Sequence, residues 1–241
     1  QQCRDLPDYE AYESYRSKGI DLARLTYTEM RNLRSDLQLI FQDPYSSLNS
    51  RMTVGQIIGE GMIAHKYFRR NDDRMKDEIV RVMEECGLAP YFLHRYPHQF
   101  SGGQRQRIGI ARSLALRPKF VVCDEAVSAL DVSIQAQVIN LLQDLKEKQN
   151  LTYLFITHDL SVVKYISDRI GVMYLGNMVE TAPSDEMFAH PPAPVYRGSA
   201  QRYPHHRSEA VGWPLRSGRR YPQPSESPQG LQVPHPLQVL H

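Results

Sequence analysis

The sequence predicts an α/β fold, in which a mainly parallel β-sheet is flanked by helices. Two observations predict it. Short apolar runs of strand length, at residues 37–41, 120–123 and 151–156, alternate with stretches that have the period of amphipathic helices. Polar residues follow directly where these runs end, as they do at the ligand-binding edge of a parallel sheet. We expect such a sheet to be covered by helices on both faces.

Taken in order, the chain begins with a polar, tyrosine-rich stretch (residues 1–18) that has no clear period. Spacing of apolar residues and turn signals then predicts a turn and short strand at 19–25, and a helix at 28–33. Helices are expected between residues 52 and 88, with Gly87 as a stop. The later predicted elements are a helix from Asp131 to Leu145, a helix at 161–166, strands at 170–174 and 178–180, and a helix from Ser184.

The composition excludes several classes of protein. A chain of 241 residues with a formal charge of +2 fits one large domain or a core with a subdomain, and it argues against a nucleic-acid partner. Its three cysteines, Cys3, Cys86 and Cys123, have no pairing or metal-ligand spacing, which fits a reducing cytosol. No apolar run approaches the ~20 residues of a membrane span, and no signal peptide is seen. We therefore expect any membrane contact to be made through a membrane-embedded partner.

A glycine-rich turn opens one of the predicted helices. Ser101 is placed to cap it, Gly102 and Gly103 permit positive φ, and the helix runs from Gln104 to Leu116. Such a helix start points backbone N–H groups and the positive end of the helix dipole at one spot, which suits a phosphate.

Two carboxylates follow the central apolar run. At the end of a buried parallel strand, Asp124 could hold a metal ion and Glu125 could polarise a water molecule. Taken singly, each of these patterns is more often an ordinary turn or a solvated loop.

The combination is more specific. Ser101 to Gln104 is followed by Asp124 and Glu125, by Ser128 to Asp131, and by the Thr-His-Asp sequence at residues 157–159. With these motifs the chain resembles the nucleotide-binding subunits of ABC transporters over about residues 19–191, and it looks most like the ATPases of oligopeptide and dipeptide importers. The resemblance implies a P-loop NTPase-like sheet, an inserted helical subdomain at about residues 50–100, and ATP hydrolysis with Mg²⁺ that energises peptide import.

The resemblance also implies roles for the residues that follow the strands. Gln42 matches the glutamine that reaches the Mg²⁺ and the attacking water, in a loop that senses the transmembrane subunit. Asp124 matches the aspartate that holds Mg²⁺, and Glu125 matches the general base. His158 matches the histidine that contacts the γ-phosphate.

Other matched residues imply a partner subunit. In the family, two ATPase subunits form a head-to-tail homo- or heterodimer, and Ser101, Gly102, Gly103 and Gln104 would face ATP bound on the other subunit. Asp131 matches an aspartate that contacts the opposite subunit, although it also makes an ordinary helix cap. The implied partners are transmembrane permease subunits, and the implied location is peripheral, on the cytoplasmic face of the membrane.

One motif of the family is absent from the printed chain, which contains no Gly-x-x-x-x-Gly-Lys-Ser/Thr sequence. That loop cradles the β- and γ-phosphates, and the resemblance places it before Gly19, so we expect a domain truncated at its N-terminus. Two alternatives to an importer ATPase therefore stay open. One is a catalytically dead fragment or pseudogene product. The other, less favoured because there are no sustained heptads, is a DNA-repair type of ABC ATPase.

The tail at residues 192–241 changes composition to Pro, Arg, His, Ser and Gln, which is typical of disorder. Synonymous codons read one base later from Pro192 can spell a sequence that resembles the C-terminal helix of this importer family. The same offset from Pro228 resembles the family's cysteine-containing end. We hypothesise a frameshift near Pro192, with weaker support for one in residues 1–18. Sequencing the encoding DNA would refute this if no base were in excess there.

We predict that the polypeptide of these 241 residues, taken alone, binds ATP very weakly, because the phosphate-cradling loop is missing from it. Titration calorimetry with MgATP measures this directly. Tight, saturable binding would contradict the prediction.

Overall fold

The computed structural model of the protein describes residues 21–189, apart from residues 71 and 175. The α-helices are α1 (Tyr27–Asp36), α2 (Val54–Ala64), α3 (Asp73–Glu85), α4 (Gly102–Leu114), α5 (Val132–Gln149), α6 (Leu160–Ile166) and α7 (Ser184–Ala189). The strands are β1 (Leu37–Ile40), β2 (Phe120–Asp124), β3 (Thr152–Ile156), β4 (Arg169–Tyr174) and β5 (Asn177–Pro183). Short 3₁₀ helices lie at Leu22–Arg24, Pro90–Phe92 and Pro97–Gln99.

Three strands form a parallel sheet in the order β1-β2-β3, so β2 is central. The register pairs Leu37 with Phe120, and Phe120 with Thr152. This confirms the predicted α/β class with its parallel sheet. Because the three strands run in the same direction, the residues that follow their carboxyl ends are brought to one edge of the sheet.

A separate antiparallel hairpin is formed by β4 and β5. Gly176 has a φ of +80° in the turn between them, which a glycine adopts without steric cost. The strand, turn and return strand predicted at residues 170–180 are confirmed, and the return strand is longer than expected.

One hydrophobic core joins the sheet to the helices. Ile40, Val121 and Cys123 of the sheet belong to the same cluster as Ile58 of α2 and Met83 of α3. All five are at most 1% exposed. The helices expected between residues 52 and 88 are present, and they pack as part of the same unit as the sheet.

The two faces of the parallel sheet differ in burial. The register puts Ile40 and Cys123 on one face, and Val122 and Leu154 on the other. Leu154 and Ile156 are 49% and 46% exposed. The expectation that helices cover both faces is therefore wrong for the part of the chain that the structure describes, because alternate residues of β3 point away from the core.

Side-chain caps start the first two described elements, a 3₁₀ helix and α1. The Asp21 side chain accepts a hydrogen bond from the Ala23 N–H at 3.0 Å, and residues 22–24 form a 3₁₀ turn where we expected a short strand. Thr26 and Glu29 then form a capping box that starts α1, which confirms the predicted helix and makes it longer. The strand prediction was wrong because these side-chain caps compete with an apolar pattern only a few residues long.

Two cysteines lie in the core. Cys86 and Cys123 are free and fully buried, and burial raises the pKa of each thiol to about 12. Neither thiol is therefore a nucleophile at neutral pH. Cys3 lies outside the described residues.

The predicted division of the chain at residues 18 and 191 stays a prediction, because residues 1–18 and 192–241 lie outside the described residues. None of the described helices is long and apolar enough to cross a lipid bilayer.

Candidate functional site

Polar side chains from all three parallel strands meet at the carboxyl edge of the sheet. Gln42 lies two residues beyond β1, Asp124 ends β2 with Glu125 directly after it, and His158 lies two residues beyond β3. We call these four residues the strand-edge cluster. They lie together because β1, β2 and β3 are hydrogen-bonded neighbours.

Glu125 is the centre of the strand-edge cluster. The Gln42 side-chain amide donates a hydrogen bond from Nε2 to Glu125 Oε2 at 2.5 Å. His158 Nδ1 lies 3.2 Å from Glu125 Oε1. The Glu125 side chain is 29% exposed and that of His158 is 75% exposed, so the cluster is open to solvent.

The backbone of Glu125 is strained. Its φ is +43°, in the left-handed region that non-glycine residues rarely adopt; such strain costs about 1–3 kcal/mol and is concentrated at functional sites. The Glu125 N–H donates to the Ile156 carbonyl at 3.0 Å. The Glu125 carbonyl accepts from the Ser128 N–H at 3.1 Å and from the Ser128 hydroxyl at 2.9 Å. These contacts hold the strained turn that aims the carboxylate at Gln42 and His158.

The turn that presents His158 is held by its neighbour. Asp159 caps α6 by accepting from the Ser161 N–H at 2.8 Å, and its own N–H donates to the Thr157 hydroxyl at 3.1 Å. Gln135 of α5 donates to the other Asp159 oxygen at 3.4 Å. We predicted no role for Asp159 from the sequence, although an aspartate one residue before an apolar helix is a recognisable cap signal.

Asp124 stands apart from these hydrogen bonds. Within the described residues its carboxylate has no hydrogen-bond partner, and no group of three or more His, Cys, Asp or Glu is placed to hold a metal ion. Mg²⁺ needs only one or two protein carboxylates, because water and phosphate oxygens complete its octahedral shell. A carboxylate without a protein partner at the end of β2 therefore fits Mg²⁺ bound together with a phosphate compound.

The Ser-Gly-Gly-Gln turn (residues 101–104) begins α4. Ser101 is the N-cap, and its capping box with Gln104 has distances of 3.1 and 3.4 Å. Gly102 and Gly103 are already helical and neither has a positive φ, so the left-handed conformation that glycine permits is not used here. The predicted start at Gln104 is two residues late, because the capping box of Ser101 and Gln104 starts the helix at Gly102.

Close packing explains the glycine at position 103. A Cβ atom there would lie 2.3 Å from Ile134 Cγ2 of α5, whereas one at Gly102 would lie 3.8 Å from Leu130 Cδ2. The Ser-Gly-Gly-Gln turn is therefore seated against the start of α5.

The same turn offers free hydrogen-bond donors. The N–H groups of Gly102 and Gly103 are the first two of α4 and have no acceptor among the described residues. Together with the helix dipole they suit an anion. In the described part of the chain, no hydrogen bond joins this turn to the strand-edge cluster.

Asp131 lies at the N-cap position of α5, as predicted, but its side chain makes no capping hydrogen bond. It is exposed, so its carboxylate is available to another molecule.

Comparison with known proteins identifies the family. Residues 11–128 match the family model described as ABC transporter. The chain carries an ABC transporter domain over these residues. It is 56% identical over 168 residues to the oligopeptide transport ATP-binding protein OppF of Bacillus subtilis, an alignment that covers 70% of this chain and 55% of that relative.

A second relative of this family is the dipeptide transport ATP-binding protein DppF of Lactococcus lactis, which is 52% identical over 187 residues and aligns with 78% of this chain and 60% of its own length. The chain thus spans a little over half the length of these two relatives. Among solved structures, the ATP-binding cassette MJ0796, described as a dimer in a post-hydrolysis state bound to ADP and Pi, is 25% identical. Its TM-score is 0.60, and 68% of this chain and 70% of that chain are covered. These ABC cassettes share the α/β fold described above.

We predict that Gly103→Ala lowers the free energy of unfolding by about 1–3 kcal/mol, because the added methyl group overlaps Ile134. Gly109→Ala is the matched control, since it lies in the same helix and its Cβ would meet nothing within 4 Å. That control is expected to gain about 0.5–1 kcal/mol of helix stability. Urea unfolding followed by circular dichroism measures both; equal effects would contradict the packing explanation.

Proposed function

We propose that this protein is the ATP-hydrolysing subunit of an ABC importer for oligopeptides or dipeptides. The observation that carries the proposal is the Glu125 carboxylate, placed between Gln42 and His158 at the carboxyl edge of a parallel sheet. The similarity to oligopeptide and dipeptide transport ATP-binding proteins supports the substrate class.

In this proposal Glu125 is the general base. It takes a proton from the water that attacks the γ-phosphate of ATP. Each carboxylate oxygen has two lone pairs, so Glu125 can accept a hydrogen bond from water while its contacts with Gln42 and His158 persist.

Other residues manage charge and position. Asp124, together with the Gln42 amide oxygen, would hold Mg²⁺, which shields the negative charge on the phosphates. His158 lies on the exposed side of Glu125, where its ring can donate a hydrogen bond to the γ-phosphate. The strained Glu125 backbone, held by Ser128, keeps the base oriented before substrate arrives.

A second ATPase subunit is part of the proposal. The free N–H groups of Gly102 and Gly103 belong to a turn that is separate from the strand-edge cluster of the same chain. We infer that this turn, with the exposed Asp131, serves ATP bound on a head-to-tail partner, either a second copy or a related subunit. The dimeric form of the solved cassette MJ0796 supports this arrangement.

The proposed location follows from the proposed partners. Transmembrane permease subunits would hold the protein at the cytoplasmic face of the membrane, as a peripheral subunit. The names of the relatives, which are transport ATP-binding proteins, support such partners.

A second candidate is a family member without its own catalytic turnover. The observation that favours it is that the free N–H groups of Gly102 and Gly103 are separate from the strand-edge cluster, so this turn could serve a partner's ATP without turnover at Glu125. Such a protein would still offer the Ser-Gly-Gly-Gln turn to a partner. A DNA-repair role gains no support from the relatives named above.

We predict that Glu125→Gln lowers phosphate release from ATP by about 10²–10⁴-fold, because an amide cannot take the proton from water. The measurement uses the protein assembled with its permease subunits in membrane vesicles. Glu84→Gln is the matched control, since Glu84 is an exposed carboxylate on α3, away from the sheet edge.

Full phosphate release by Glu125→Gln would refute the role of Glu125 as base. If the unmodified assembly releases no phosphate while the folded subunit still joins it, the second candidate replaces the first.

A further inference from the structure

A buried positive charge lies one residue after the Ser-Gly-Gly-Gln turn. Arg105 of α4 is only 6% exposed. Its Nε donates to the Pro97 carbonyl at 2.8 Å, and its Nη2 reaches the His98 carbonyl at 3.4 Å. Its Nη1 is buried and has no hydrogen-bond partner among the described residues. Burying a cation without a carboxylate partner costs folding free energy. The group that covers the Arg105 guanidinium therefore affects how stable this arrangement is.

The aromatic ring of Tyr45 covers this guanidinium. Arg105 Cζ lies 3.7 Å from the centre of the Tyr45 ring, which is cation–π stacking distance. The other side of Tyr45 faces solvent, since the residue is 67% exposed. Tyr45 is therefore a lid on Arg105 that can open without disturbing the hydrophobic core.

Tyr45 belongs to the loop that carries Gln42, here called the Gln42 loop (residues 41–48). The Tyr45 N–H donates to Asp43 Oδ1 at 2.7 Å, and the Ser47 N–H donates to the Asp43 carbonyl at 3.2 Å. These bonds make residues 43–47 one compact turn that begins directly after Gln42.

A second arginine of α4 holds the same loop. Arg112 Nη1 donates to the Ser47 carbonyl at 2.5 Å. Arg105 and Arg112 are seven residues apart, which places them on the same face of the helix, two turns from each other. The Gln42 loop thus lies along the helix that begins with the Ser-Gly-Gly-Gln turn.

We propose that Tyr45 and Arg105 are positioning residues that couple the Gln42 loop to the Ser-Gly-Gly-Gln turn. While Tyr45 covers Arg105, the guanidinium holds the carbonyls of Pro97 and His98, the segment that leads into Ser101. When the loop moves away, Arg105 becomes hydrated and releases that segment.

In the function proposed above, this coupling would link the two subunits. Gln42 binds Glu125, whereas the Ser-Gly-Gly-Gln turn serves the partner subunit. A change at one strand-edge cluster would therefore reach the ATP site on the other subunit. This effect on the other subunit rests on the proposed function, whereas the contact of Tyr45 with Arg105 does not.

Hydrogen–deuterium exchange of the full chain, without nucleotide, tests the coupling. The reporters are the amides of Gln99, Phe100 and Ser101, which are hydrogen-bonded to Tyr96, Pro97 and Gln104. We expect Tyr45→Ala to speed their exchange at least about threefold, while α5 is unchanged. Tyr45→Phe keeps the ring and should exchange as the unmodified chain does. Tyr27→Ala, which removes a tyrosine that is 74% exposed, is the matched control.

Faster exchange confined to residues 42–48, with the three reporter amides unchanged in Tyr45→Ala, would overturn the proposal. A second variant, Arg105→Lys, keeps the positive charge but loses the planar guanidinium. We expect it to speed the exchange of the same three reporter amides. Because no nucleotide is used, loss of ATPase activity and loss of this coupling are distinguished.

Discussion

The parallel pairing of β2 with both of its neighbours is the constraint on which the site depends. Each strand ends at the same edge, so three short loops deliver Gln42, Glu125 and His158 to one point although 116 positions separate the first from the last. The pairing of β2 with β3 extends into the site, because the Glu125 N–H donates a hydrogen bond to the Ile156 carbonyl, one residue beyond the end of β2. Loss of this register would separate the carboxylate from both of its partners.

The helix α4 provides the second organising feature. It begins at the Ser-Gly-Gly-Gln turn, packs against α5 through Gly103, and carries the two arginines that hold the Gln42 loop. One helix therefore touches each part of the proposed mechanism: the loop of the magnesium-binding amide, the turn offered to a partner, and the helix that starts at Asp131. The buried charge of Arg105 makes this arrangement sensitive to what covers it.

Much of this could be predicted from sequence, since strand ends and helix periods are local patterns. The strands near Gln42, Asp124 and His158 were located within one residue or so, and their parallel order followed from the alternation with helices. The need for a glycine at position 103 could not be predicted, because it comes from close packing against Ile134, which lies 31 residues away in the sequence. Likewise, the positive φ of Glu125 depends on its long-range pairing with β3 and on the hydroxyl of Ser128. Glutamate has no preference for positive φ, so the sequence does not predict this conformation.

A double-mutant cycle on Gln42 and His158 tests whether Glu125 is the centre of the site, because both side chains are proposed to act through its carboxylate. Phosphate release by the assembled transporter would be compared for Gln42→Ala, His158→Ala and the double variant. Residues that act as a unit give strongly non-additive losses. We expect the double variant to be slower than the slower single variant by no more than about twofold. Losses that multiply would show that the two side chains act independently, and would contradict a hydrolytic centre built around Glu125.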